Sequence, residues 1–282
     1  MFRQIKLFGV LVAVIVLSLC TSTEAATNWN TNVIQAMGIG VPPTWAVSQA
    51  QATALARTAA LADARRNLLA EIKGTQVDAE TTVENHMVKN DLIVTKIDGI
   101  IKGARVVSEG PIEGGGYQVT LEMPMFGGPE SLAGTVLNRP TTVEPIPTPE
   151  PDYRPPTDYD PPALPDYKPT RSSGSYTGLI IDCRGLGKIN RVMSPAIRRA
   201  NGKAVYGHKI LDYDRVIREG TVAYTTSMSK ASRAGSNPLV VRAIKLEEFN
   251  ATPIVSPEDA EMILYENEKT HFLDDLKVVF YY

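Results

Sequence analysis

Val33-Ile34-Gln35-Ala36-Met37-Gly38-Ile39-Gly40, then Pro42-Pro43, then a run from Val47 to Lys73 with ten alanines between positions 46 and 70: this stretch decides the fold of the N-terminal half. The first eight residues read as a strand built largely of small side chains. The two prolines stop it, because proline lacks the N–H that a strand ladder or a helix interior needs. Alanine and leucine are strong helix formers, so residues 47–73 read as one long helix. Ala52, Leu55, Ala56, Ala59, Ala62, Arg66, Leu69 and Ile72 follow helical spacing and are taken as its inner stripe, apolar save for the arginine. Such a face lets a helix lie close on a sheet. Gly74, just after Lys73, ends it.

Working outward, Ala79 to Ile97 reads as a second, weaker helical segment. Gly99 to Glu109 and Gly116 to Met123 read as strands, the latter cleanly alternating, with Gly114-Gly115-Gly116 between them as hairpin chemistry. The order β-α-α-β-β predicts a small sheet covered by helices, an α+β domain over residues 33–126.

Several separated blocks in this half occur in the order of a known family. They are Ala36-Met37-Gly38-Ile39-Gly40, Ala59 to Leu69, Ile72-Lys73-Gly74, Ile97 to Ala104, and Tyr117-Gln118-Val119. The block resembles the LPP-twenty lipoprotein family, which includes the N-terminal part of the flagellar assembly protein T (FlgT). The resemblance implies an exported or lipidated envelope protein with a structural or assembly role. It brings no catalytic residues.

The start of the chain agrees with export. Arg3 and Lys6 precede an apolar run of 13 residues, Leu7 to Leu19, and Thr23-Glu24-Ala25 offers small residues at the −3 and −1 positions of a cleavage site. This is the order of a secretory signal peptide, too short to span a bilayer comfortably. Residues 1–25 are therefore read as the signal, cut between Ala25 and Ala26. The alternatives are an uncleaved N-terminal anchor and lipidation at Cys20, which would tether the chain to a membrane. Leu19 stands immediately before it, where a lipobox wants a small residue, so cleavage after Ala25 is favoured. Removing residues 1–25 leaves Cys183 as the only cysteine, so no intramolecular disulfide can form. It also leaves 27 basic against 30 acidic side chains, with no basic block to meet nucleic acid.

Between Pro140 and Pro169 lie 11 of the chain's 20 prolines. Residues 127–175 accordingly read as an extended, semi-rigid linker, reaching on the order of 90 Å at most over its proline-rich part. Within it Asp152-Tyr153-Arg154-Pro155-Pro156, Asp158-Tyr159-Asp160-Pro161-Pro162 and Asp166-Tyr167-Lys168-Pro169 form a degenerate repeat. Tyrosines among prolines can dock on a partner or a neighbouring domain; the plain spacer is the preferred reading.

Residues 176–282 read as a second α+β domain. Strands are expected at Thr177–Cys183, Lys203–Gly207, Thr221–Tyr224, Leu239–Ala243 and Leu276–Tyr282. Ser256-Pro257-Glu258-Asp259 opens a helix that runs to about Lys269, with serine as N-cap, proline at N1 and acids in the first turn.

Little in the chain promises chemistry. His86, His208 and His271 are far apart and lack ligand spacing. Asp182-Cys183-Arg184-Gly185-Leu186-Gly187 lacks the full signature of a phosphate loop. Cys183 as a nucleophile would need a histidine base such as His208. Asp182, Asp212 and Asp214 lack the pattern of a calcium loop. No catalytic, cofactor-binding or metal-binding residue is expected, and no enzyme. The expectation is a protein of the periplasm or cell envelope that acts by protein–protein contact, on envelope proteins or further copies of itself. A cell-wall or ligand-binding module is the alternative. A membrane contact is expected only with lipidation at Cys20.

Overall fold

The computed structural model describes residues 25–156, 159–165 and 175–282. Cys20, the 13-residue apolar run and the third tyrosine-proline repeat lie outside the described residues. The first domain is built from β1 (Ala25–Asn28), β2 (Val33–Gly40), α1 (Gln49–Gly74), α2 (Val83–Lys89), α3 (Asp91–Lys102), β3 (Arg105–Pro111), β4 (Tyr117–Pro124) and α4 (Leu132–Val136). Its sheet has the order β1-β2-β4-β3, antiparallel throughout.

Helix α1 lies on this sheet at a distance that only glycine permits. A Cβ placed on Gly38 would sit 2.0 Å from the Ala64 nitrogen, and one on Gly40 2.0 Å from the Ala56 carbonyl oxygen. The buried stripe of α1 is Ala56, Ala60, Ala64, Leu68 and Ile72. This corrects the stripe expected from sequence: Ala59, Ala62 and Arg66 are exposed. In a helix so rich in alanine, several phases are nearly equal in hydrophobicity, and the glycines of β2 choose among them. β1 pairs only with Val33–Ala36, and α1 takes over where β1 is missing. Asn67 donates to the Met37 carbonyl at 2.8 Å, and Asp63 accepts the Ile39 N–H at 3.1 Å. Backbone groups that would lack a ladder are thereby satisfied.

The second helical segment is two helices, broken at Asn90, which caps α3 by accepting the Leu92 N–H. The strand expected from Gly99 begins only at Arg105. Ile93, Ile97 and Ile101 recur every four residues and form the buried face of α3, which carries the helix through Gly99 to Lys102.

The second domain contains β5 (Gly178–Asp182), β6 (Ile197–Arg199), β7 (Ala204–Tyr206), α5 (Tyr213–Glu219), β8 (Ala223–Thr225), β9 (Pro238–Arg242), β10 (Lys245–Glu247), β11 (Thr252–Val255), α6 (Pro257–Thr270) and β12 (Val278–Tyr281). The cap of α6 is as expected: Ser256 accepts the Asp259 N–H and Pro257 takes N1. Strands β8-β12-β5-β9 form a wholly parallel sheet, and β10-β11-β6-β7 a small mixed one. Both domains are α+β, as the sequence implied.

A parallel sheet must be covered on both faces. One face of this one, with Leu179, Ile181, Leu239, Val241, Val278 and Phe280, belongs to the main core. The other presents Ile180, Val240, Val279 and Tyr281, and is closed by Ala231, Ala234 and Leu164. Leu164 comes from the proline-rich segment. That segment is extended, but it does not act as a free spacer. The Glu144 N–H donates to the Lys209 carbonyl, and the Glu150 N–H to Glu261. Tyr153 packs edge-on against Tyr265. The Tyr159 hydroxyl donates to the Val240 carbonyl at 2.8 Å, and Arg184 donates to the Ala163 carbonyl. Proline-rich chain lacks the N–H groups of a continuous ladder, but its tyrosines and leucine bury area on the sheet. Upstream, residues 127–137 are also built in: Leu132, Ala133 and Val136 are buried in the core.

Candidate functional site: the cleft between the two domains

The turn that leaves α1 meets the second domain directly. Met193 and Ser194 donate their N–H groups to the carbonyls of Gln76 and Val77, at 3.0 and 2.8 Å. Trp29 stands edge-on to Tyr224 with centroids 5.7 Å apart. Gly127 and Gly128 both donate to the Ile217 carbonyl, and the Tyr213 hydroxyl donates to that of Leu137. One hydrophobic cluster runs from Ile34 and Ala64 through Leu132 to Ile217 and Phe280.

Beside this seam opens a cleft of about 610 Å³, continued by a hollow of about 450 Å³. Asp78, Glu144, Ser194, His208 and Lys209 line both. The first domain supplies Asp78 to Thr81, a turn held by the Asp78 carboxylate, which accepts the N–H groups of Glu80 and Thr81. The second supplies Arg198, ion-paired with Glu248 at 2.7 Å. The start of the proline-rich segment forms a third wall. The His208 ring places Nε2 2.8 Å from the Asn138 carbonyl, which can only accept, so Nε2 carries the proton. Its Nδ1 is buried and has no partner among the described residues. His86 also lines the hollow, with Nε2 3.4 Å from the Thr81 hydroxyl. Two histidines that are distant in sequence thus line one hollow, which no spacing rule reveals. The third, His271, is exposed and caps α6 in a left-handed conformation. With acids and bases interleaved, the cleft suits a polar chain or ligand rather than a strongly charged one.

The other candidate residues are placed apart from it. Ala25 and Ala26 open β1, paired with Ala36 and Gln35, so the expected cleavage point falls at the edge of the folded domain. Cys183 is buried, its Sγ 3.7 Å from the Ile181 carbonyl, and burial pushes its thiol up to about 12. A thiol so protonated is a poor nucleophile. The three aspartates do not meet as a cluster. Asp182 is fully buried between Arg184 and Arg242; Asp212 caps α5; Asp214 pairs with Arg139. Burial alone would raise the Asp182 carboxyl, but the hydrogen bonds from Arg184 and Arg242 outweigh it and hold the group below its ordinary range. Among the described residues, no three His, Cys, Asp or Glu side chains group as a metal ion would require.

Comparison with known families divides the chain at the same seam. Residues 43–123 match the LPP20 lipoprotein family, so the likeness to that family read from the N-terminal blocks is shown over those residues. Residues 178–281 match the family described as the second domain of Tp0624 of Treponema pallidum. Among curated proteins, none matches the chain at a significant level. Among the described residues, no helix is long and apolar enough to cross a membrane.

Proposed function

Starting from an LPP20 lipoprotein domain over residues 43–123, we propose that this is an exported, envelope-associated protein with a structural or assembly role, acting by protein–protein contact. The observation that carries the reading is the seam. The LPP20 domain shares a hydrophobic core with the Tp0624-type domain, and the proline-rich strap is laid across the second domain. That gives a firm two-domain body, suited to holding a fixed place in an assembly. The cleft at the seam is its docking groove, because it is formed by both domains and is open to a polypeptide segment. A flagellar location is one form that this role takes in the family resemblance. The test is affinity recovery of the tagged full chain from a cross-linked envelope fraction. A partner protein recovered in fixed ratio, and lost on substituting Arg198 and Lys209 by glutamate, supports the reading. Recovery of monomer alone, with no envelope association, overturns it.

The mixed polar lining of the cleft also favours a second reading, a module for cell-wall polymer or another polar ligand. Co-sedimentation with purified peptidoglycan separates the two: sedimentation that the same substitutions abolish would establish the second reading.

A further inference from the structure

The β2–α1 loop is an exposed apolar tip. Val41 is 72 % exposed, Trp45 65 % and Val47 89 %, with Ile39 half exposed beside them. Large side chains left this open are unusual together on one short loop. The loop is held in shape. Pro42 and Pro43 fix the backbone, Ala46 donates to the Pro43 carbonyl, and the Val47 N–H donates to the Gln51 side chain. Ser48 then caps α1 by accepting the Gln51 N–H. No charged residue occurs from Ala25 through Ala56, so the tip and the first turns of α1 carry none. At this end of the sheet, where Gly40 pairs with Tyr117, stand Glu113 on the turn between β3 and β4 and Arg57, which is paired with Glu109 at 2.8 Å.

A second observation says what covers the tip. β1 starts with Ala25 beside Ala36 and runs antiparallel to β2, away from Gly40. The chain therefore comes into the domain from the end of the sheet that bears the tip. From Ala36 to Gly40 is four strand residues, about 13 Å. Cys20 precedes Ala25 by five residues, at most about 18 Å of extended chain. Until the expected signal is cut, its apolar run would hold this end of the domain toward a membrane, and with lipidation at Cys20 the lipid would hold it there afterwards.

We propose that the tip formed by Ile39, Val41, Trp45 and Val47 docks on a lipid surface, with the Trp45 indole at the interface and the valines among the acyl chains. The proposal rests on the envelope reading for its setting, but it uses residues that the seam does not. With Arg57 already paired to Glu109 and with Glu113 nearby, the docking is expected to favour a neutral surface and to change little with salt.

The test uses the chain from Ala26, the product of cleavage, so that no lipid contributes. In a Trp29→Phe background, Trp45 is the only tryptophan. Adding phosphatidylcholine vesicles should move its emission to shorter wavelength and bring the protein down with the vesicles. Val47→Asp should weaken that co-sedimentation by about tenfold or more while leaving the thermal transition unchanged. Adding phosphatidylglycerol should not strengthen it. Emission and sedimentation unmoved by vesicles overturn the proposal. So does a dimer in vesicle-free solution that Val47→Asp dissociates, because the tip would then cover a second copy. Fractionation of cells bearing the full chain separates this from the envelope reading. A chain found in the envelope with Trp45 insensitive to lipid removes the tip proposal alone. A chain absent from the envelope with Trp45 in the bilayer removes the envelope reading alone.

Discussion

The two large sheets are covered in opposite ways. The antiparallel sheet receives α1 across Gly38 and Gly40, backbone against backbone, with Ala56, Ala60 and Ala64 at the closest approach. The parallel sheet has one face closed by Ala231, Ala234 and Leu164, the last carried by an extended, proline-rich strap. The first contact is long, repetitive and intolerant of added volume. The second is made of a few anchors, each separable from the next. One sheet should therefore fail as a unit when its cover is disturbed, and the other should loosen locally.

The sharpest break is at Gly38. Gly38→Val places side-chain atoms where α1 backbone lies, and overpacking of this kind costs about 3 kcal/mol or more. Urea denaturation should show a large loss for the whole chain, or no folded protein. A Gly38→Val chain as stable as the parent would mean that α1 does not lie where described. Next in size is Leu164→Ala. Leu164 is 5 % exposed, and truncating a buried leucine costs roughly 2–3 kcal/mol. Amide exchange should rise along β9 and β12, while β2 and β4 keep their protection. A uniform change across both sheets would argue against separable anchors.

A third contrast lies in two carboxylates. Asp182 is buried at the end of β5, and Glu122, on the open face of the antiparallel sheet, is hydrogen-bonded by Gln35 and Arg105. Both are held below their ordinary values, Glu122 chiefly by the hydrogen bond from Gln35. Their contributions are complete above the unfolded values of 3.8 and 4.5 and are lost as pH falls through the lower folded values. Acid titration of the melting temperature from pH 5 to pH 2 should show a decline. Arg242→Gln should make it shallower, and high salt should weaken the Glu122 part more than the buried Asp182 part. The smallest effect is Tyr159→Phe. It removes one hydroxyl donated to the edge of β9, worth about 1 kcal/mol, and should raise exchange at that edge with little change in melting temperature.

The same contrast separates what the sequence makes legible from what it hides. Helix α1, the cap of α6 at Ser256 and the alternation of β4 announce themselves, because composition, capping chemistry and period-two patterning act locally. The phase of α1 does not, since alanine on every side leaves the choice to Gly38 and Gly40. The strap does not either. Its tyrosines and Leu164 have no period, and the prolines that set its extended form are equally compatible with a free spacer. The parallel order β8-β12-β5-β9 is a property of long-range pairing, invisible in five short apolar runs. In the cleft, His86 and His208 converge only because the turn after α1 docks on residues 193–194. The apolar tip lies between these cases. Trp45 and Val47 stand in a charge-free run, and only their exposure had to come from the structure.

The claim on which the rest depends is that the strap is laid down and the two domains share one core. Small-angle X-ray scattering of the chain from Ala26 tests it directly. A packed body of this length has a radius of gyration of about 18 Å, and that value is the expected result. A value well above about 25 Å, as two domains held apart by an extended proline-rich spacer would give, would contradict it.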